Sequence, residues 1–450
     1  MGLLGEQADA IARGERSSVE VVTAAIEAAE KLQPELNAFT QLYPEEALAA
    51  ARDADRAPDP SQPLRGVPVA VKDLYDVATK VTSGCSEVYR NAPPATTDAP
   101  AVRALRRAGA VLIGKTNMHE FAFGATNTVS CYGPANNPWD VGRIPGGSSG
   151  GSGAAVGARI VGMALGTDTG GSIRMPAAFC GATGLKTTWG LLPVAGVMPM
   201  APGLDSVGPI ATDAIDATIT FDVLAGGPDP GRSATAIDRL RVGVARGQWF
   251  DVVDDEIGAG LDRLSGWFGA RGAHLIDVPL LWIEAAHDAW LMIALAEFAR
   301  EHRAIAGHEA ELDPSTAIIF AAGVALPAED ERRAREQVVE ARAAFRETMR
   351  DVDILIAPAT PFPAPRHSDE TIAVAGVDLP VHIGGPSRFT RPISVLPAAV
   401  LTAPIGFSRE GLPLGAQLIG RALSERMLLD AGIAYQSDTD WYTRLPPLHA

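Results

Sequence analysis

Cysteine, positive charge and long apolar runs are all scarce in this chain. Its three cysteines among 450 residues, Cys85, Cys131 and Cys180, are too few for a disulfide framework and lack paired metal-ligand spacing. They read as buried thiols in a reducing compartment. Lys and Arg number 38 against 54 Asp and Glu, a formal charge of −16 that repels phosphate backbones. Direct nucleic-acid binding is not expected. The most apolar long stretch, 153–166, carries Arg159 and falls short of the roughly 20 residues that span a bilayer. The start, Met1-Gly2-Leu3-Leu4-Gly5-Glu6, has no basic segment leading into an apolar one. The expectation is a cytoplasmic protein that does not touch a membrane. His119-Glu120 lacks the second histidine of a zinc helix, so no metal and no cofactor is expected.

Apolar residues make up 47% of the chain and charged residues 20%, enough for a large core. Short apolar runs suited to buried strands recur at 67–71, 110–114, 161–166, 241–245, 353–358 and 400–404. Helical patterns alternate with them. Ser17 and Glu20 fit a capping box, and Val19, Val22, Ala25, Ile26 and Ala29 make a stripe expected to stop before Pro34. Residues 254–350 are rich in Ala, Glu and Arg with helical periodicity. No linker-like break or fixed repeat interrupts the alternation, which predicts one large α/β domain. Within it the chain divides into a helical segment at 1–63, a motif-dense core at 64–225, a mostly helical region at 226–352 and a second part of the core at 353–450.

Three pieces carry chemistry. The first is Lys72, at the end of Val69-Ala70-Val71. The second is Gly146-Gly147-Ser148-Ser149-Gly150-Gly151-Ser152, and the third is Asp168-Thr169-Gly170-Gly171-Ser172-Ile173-Arg174. Two glycines before Ser172 leave room for close approach, and successive amides there can converge on one point. A helix starting near Ile173, with Pro176 in its first turn, would add partial positive charge beside the serine. The loop reads either as a nucleophile with an oxyanion hole from the N–H groups of Thr169, Gly170, Gly171 and Ser172, or as an ordinary glycine-rich turn.

The second loop is not a P-loop, because no Gly-Lys-[Ser/Thr] closes it. It matches G-x-S-x-G formally, but Asn137 to Pro145 is a poor strand and no downstream histidine sits in a compelling loop. A serine hydrolase without histidine needs another base, and a lysine serves if burial removes its charge. Lys72 is the best-placed candidate; the competing reading pairs it with Asp73 or Asp76 at the surface.

Taken together, these pieces resemble the amidase signature family. So do Gly66-Val67-Pro68-Val69-Ala70-Val71-Lys72-Asp73, Gly114-Lys115-Thr116-Asn117-Met118-His119-Glu120-Phe121 and Leu204-Asp205-Ser206-Val207-Gly208-Pro209. Gly411 to Gly420 has the family's closing pattern. The likeness is dense over 64–225, returns after 353 and is weak between 226 and 350. It implies a central mixed β-sheet with helices on both faces. It also implies Ser172 as nucleophile, Ser148 as proton relay held by a cis peptide bond, and Lys72 as base. Ser149 and Ser152 would support the loop, Asp168 and Arg174 would pair to brace it, and Ser149 and Arg391 are the candidate substrate contacts. Arg388 and Arg391 are otherwise exposed arginines; Met118, Phe121 and Phe123 are core or pocket wall.

The implied activity is hydrolysis of a small carboxamide or ureido compound by a monomer or homodimer. The stretch 353–420 is similar to the carboxybiuret and allophanate hydrolase branch. A second reading is the glutaminase subunit of a tRNA-dependent amidotransferase, which Gly133-Pro134 and Asn136-Asn137-Pro138-Trp139-Asp140 resemble. A third, an inactive scaffold, is disfavoured by the retention of Lys72, Ser148 and Ser172.

Overall fold

The apolar runs do assemble side by side. The computed structural model describes residues 2–227 and 234–449. Thirteen strands are present among them: β1 Phe39–Leu42, β2 Pro68–Lys72, β3 Val111–Thr116, β4 Met163–Asp168, β5 Thr183–Lys186, β6 Ser206–Ala211, β7 Arg241–Arg246, β8 His274–Pro279, β9 Ile354–Pro358, β10 Thr371–Val374, β11 Val377–Pro380, β12 Ala399–Phe407 and β13 Pro413–Gly420. Eleven form one sheet in the order β1-β3-β2-β4-β6-β5-β12-β13-β9-β7-β8, while β10 and β11 pair apart as a hairpin. β2 lies parallel to β3 and β4, and β7 lies parallel to β8 and β9; the other pairings are antiparallel. The sheet is therefore mixed, in a single α/β domain as expected.

Alternation along the strands builds a core on each face. Val69 and Val71 of β2 and Met163 and Leu165 of β4 join the larger apolar cluster. Ala70 and Ala164 point the other way, with Ala154, Ala155 and Val156 of the helix Gly150–Gly157 and with Val22, Ala25, Ile26 and Ala29 of the helix Ser18–Leu36. The capping box of that long helix forms, Ser17 Oγ accepting from the Glu20 amide at 3.1 Å. The helix does not stop before Pro34. It continues to Leu36, because Leu32 and Leu36 are both buried and the missing Pro34 amide forfeits one bond in the last turn only.

The region read as helical contains the helices Asp255–Ala270, Ile283–Glu301, Pro314–Ala325 and Ala328–Thr348. It also contains β8, which the helical periodicity does not predict. That strand lies at the sheet edge with most side chains exposed, so it lacks the continuous apolar run that marks the buried strands.

The helix Gly150–Gly157 abuts the loop after β3 so closely that a Cβ on Gly151 would lie 2.4 Å from Ala38 O and 2.5 Å from Asn117 N. Gly151→Ala should therefore lower stability by about 2 kcal/mol or more, measured by denaturant unfolding, with loss of activity as Ser148 shifts. Gly266, inside the helix Asp255–Ala270, has open space at its Cβ position. Gly266→Ala should raise stability by about 0.5–1 kcal/mol with turnover unchanged.

Candidate active site

β2 ends at Lys72 and β4 ends at Asp168, so the parallel pair delivers both residues to the same edge of the sheet. The Lys72 side chain is fully buried. Its Nζ lies 2.7 Å from Ser148 Oγ and 2.9 Å from Thr167 Oγ1. Burial pulls the amine down from 10.5 to about 7, against the opposing influence of Asp205 and Asp168. The surface ion pair is ruled out, because the neighbouring Asp73 pairs with buried Lys115 at 3.2 Å and Asp76 accepts from Thr82 Oγ1 at 2.8 Å.

Ser148 sits just before the helix Gly150–Gly157, and the Gly147–Ser148 peptide is cis. Ser172 stands at the foot of the short helix Arg174–Cys180 and lines a cavity with Thr169, Gly170, Phe123, Met175, Met200, Trp290 and Arg391. No hydrogen bond joins Ser148 to Ser172 through their side chains among the described residues.

Asp168 and Arg174 form the expected brace, fully buried, with Arg174 Nη2 2.7 Å from Asp168 Oδ1. The carboxylate also accepts from the amides of Gly171 at 2.9 Å, Ile173 at 3.2 Å and Arg174 at 3.4 Å. Burial alone would raise Asp168, but Arg174 and these bonds hold it below the ordinary aspartate range. Two expectations change as a result. The partial charge at the helix start is met by Asp168 rather than left beside Ser172, and the Gly171 N–H is taken up by that carboxylate. Gly171 instead serves as a bend, at φ +124°, where a Cβ would strike Thr390. The amides of Thr169, Gly170 and Ser172 are the ones without an acceptor among the described residues.

Ser149 also departs from expectation. It is fully buried, and its hydroxyl lies 3.4 Å from both Thr167 O and Thr167 N, away from the cavity lining. It supports the loop, as does Ser152, whose Oγ donates to Leu165 O at 3.0 Å. Arg391 does line the cavity, with its guanidinium 4.5 Å above the Trp290 ring. Arg388 lies outside that lining, stacked 3.8 Å over Trp249. Phe123 is pocket wall, whereas Phe121 and Met118 are core.

Four contributors escape the sequence reading. Trp290 Nε1 donates to Thr169 O at 2.7 Å, Thr390 Oγ1 to Gly170 O at 2.6 Å, and Thr169 Oγ1 to Asp205 at 2.6 Å. Thr167, the fourth, touches Lys72. Thr167 and Asp205 lie in or beside the motif stretches, so a signal exists for both; nothing local marks Trp290 or Thr390.

Geometry of this kind suits a hydrolase that activates serine through lysine instead of histidine, and known proteins place the chain among hydrolases. The amidase family model matches residues 20–429, and the chain belongs to the amidase signature family, whose members are amidohydrolases. Among its relatives, a glutamyl-tRNA(Gln) amidotransferase subunit of Methylococcus capsulatus is 35% identical, over 98% of this chain and 98% of its own. Among solved structures, one described as "An unexpected vestigial protein complex reveals the evolutionary origins of an s-triazine catabolic enzyme" superposes with a TM-score of 0.91 at 36% identity, covering 97% of this chain and 98% of that one. Another, described as an amidase, gives 0.90 at 31% identity, covering 97% and 100%. Among the described residues, no helix is long and apolar enough to cross a membrane.

Thr167 Oγ1, 2.9 Å from Lys72 Nζ, is expected to position that amine. A neutral amine that donates one N–H to Thr167 Oγ1 presents its lone pair to Ser148. Thr167→Val should lower kcat by about 10-fold or more with little change in KM. Losing an acceptor also disfavours the ammonium form, so the acid limb of the pH–rate profile should move to lower pH. An unchanged kcat and limb would show that the contact is only packing.

Proposed function

We propose that this chain hydrolyses an amide or ureido C–N bond of a small molecule, giving an acid plus ammonia or an amine through an acyl group on Ser172. The observation that carries the reading is Lys72, buried, brought to about 7 and 2.7 Å from Ser148 Oγ. Neutral Lys72 takes the Ser148 proton as Ser148 takes that of Ser172, whose Oγ bonds to the carbonyl carbon. The resulting oxyanion is received by the unengaged amides of Thr169, Gly170 and Ser172. The proton returns through Ser148 to the departing nitrogen, the C–N bond breaks, and water releases the acid by the same relay. Arg391 is the proposed substrate contact.

A second reading has a specific observation behind it, the identity to the glutamyl-tRNA(Gln) amidotransferase component over almost the whole of both chains. There the same acyl chemistry would release ammonia from glutamine inside a complex. Purified chain assayed on glutamine, simple amides and ureido acids separates the two; turnover that appears only with a co-purifying partner favours the complex.

Ser172→Ala should abolish turnover and labelling by a fluorophosphonate probe with the thermal transition nearly unchanged; retained turnover would mean another nucleophile. Lys72→Ala should cost about 100-fold or more in kcat. Because the base must be uncharged, wild-type kcat/KM should rise with pH, reach half its plateau near 7, and stay flat above. A flat profile between about pH 5.5 and 8 contradicts Lys72 as base.

A further inference from the structure

The wall of the cavity at Ser172 carries a single ionised side chain, Arg391. No Asp or Glu lines it among the described residues. Two fully buried cations elsewhere are answered by carboxylates, Arg174 by Asp168 at 2.7 Å and Lys115 by Asp73 at 3.2 Å, and a third, Lys186, by the carbonyl oxygens of Thr187 and Ala398 at 3.1 and 3.0 Å. Arg391 has no such partner among the described residues. Burial lowers its guanidinium to about 10, with no nearby acid acting against that.

The acids around the oxyanion loop are already engaged. Asp205 accepts from Thr169 Oγ1 and from the amides of Met200 and Ala201, at 2.6, 2.9 and 3.1 Å. Glu297 accepts from Gly203 N at 2.7 Å and pairs with Arg335 at 2.8 Å. Beyond Arg391 lie Arg388, which Glu284 faces, and His287. His287 is held down to about 4 by burial and then by Arg391 and Arg388, and its Nδ1 is buried without a hydrogen-bond partner. The wall hydroxyls other than Ser172 donate to protein acceptors, Ser387 Oγ to Gly384 O at 2.8 Å and Thr169 Oγ1 to Asp205.

A cavity with one unanswered cation and no carboxylate can neutralise an anion but offers nothing to an ammonium group. We infer that the cavity selects small amides or ureido compounds that bear one carboxylate and no amino group, with the carboxylate on Arg391 and the reacting carbonyl at Ser172. The inference rests on the hydrolase reading above and narrows its substrate class. It excludes α-amino amides such as glutamine, whose ammonium would be desolvated beside Arg391 and left unpaired. Apolar walls at Phe123, Met175, Met200 and Trp290 suit the short methylene chain between the two ends.

The test compares matched compounds on the full-length protein: malonamate, succinamate, glutaramate and ureidoacetate as monoanions, the corresponding neutral diamides, and asparagine and glutamine. Hydrolysis is followed by ammonia release, and site occupancy by slowed fluorophosphonate labelling of Ser172. At least one monoanion should exceed its diamide and its α-amino counterpart by about 100-fold in kcat/KM or in the concentration that halves labelling. In Arg391→Met, checked for folding by circular dichroism, the preference for monoanion over diamide should fall to within about threefold. Equal or better use of glutamine, asparagine or a diamide overturns the inference. So does a preference that survives Arg391→Met, or a Ser172 that labels but is protected by none of the series. Failure of Ser172 to label at all would instead overturn the hydrolase reading itself.

Discussion

The proposed chemistry depends on keeping one amine uncharged while two carboxylates lie close enough to charge it. Moving Lys72 from 10.5 to about 7 corresponds to about 5 kcal/mol between its charge states, which burial must supply against Asp168 and Asp205. The structure manages this by giving each neighbouring acid another partner. Asp73, adjacent in sequence, is paired with Lys115. Asp168 is paired with Arg174 and capped by three amides. Asp205 is bound by a hydroxyl and two amides and is itself raised to about 6 by burial. An unpartnered carboxylate in this space would convert the proposed base into half of a salt bridge, so Arg174 and Lys115 bear on the proposed chemistry without touching Ser172.

The same bonds fix the loop that carries Ser172. Arg174 reaches across to Gln417 Oε1 at 2.7 Å and Ser394 Oγ at 2.6 Å, while Gln417 donates to Pro358 O and Phe389 O. The start of one short helix is thus tied to β9, β13 and the segment around Arg391. This gives a physical reason for the glutamine in the C-terminal stretch Gly415-Ala416-Gln417. The catalytic edge is closed by residues more than 200 positions apart, as in the Arg174–Gln417 and Arg174–Ser394 bonds, so it forms only when both parts of the core have met.

What can be read in the sequence is what is local. An apolar run ending in lysine, a doubled glycine before serine and a glycine–serine run each state their geometry within a few residues, and Lys72, Ser148 and Ser172 follow from them. Contacts between distant segments cannot be read that way. Ser149 resembles a substrate contact because it adjoins Ser148, yet the first turn of the helix points it at Thr167. The Gly171 amide looks available because sequence does not show that Asp168 folds back three residues to take it. β8 escapes because an edge strand need not be apolar, and Trp290 because one indole in a long helix resembles any core residue.

Trp290 also changes how the least recognisable stretch should be viewed. Its Nε1 anchors Thr169 O in the oxyanion loop while its ring face carries the Arg391 guanidinium. One side chain therefore couples the position of the proposed oxyanion donors to the position of the proposed substrate anchor. Gly170 is pressed against the same indole, where a Cβ would approach Cζ2 to 2.5 Å. The helix Ile283–Glu301 cannot move to reshape the substrate end without disturbing the loop at the reacting end. A change at Trp290 would therefore act on both ends at once, and the proposed charge selection and carbonyl activation share one packing contact.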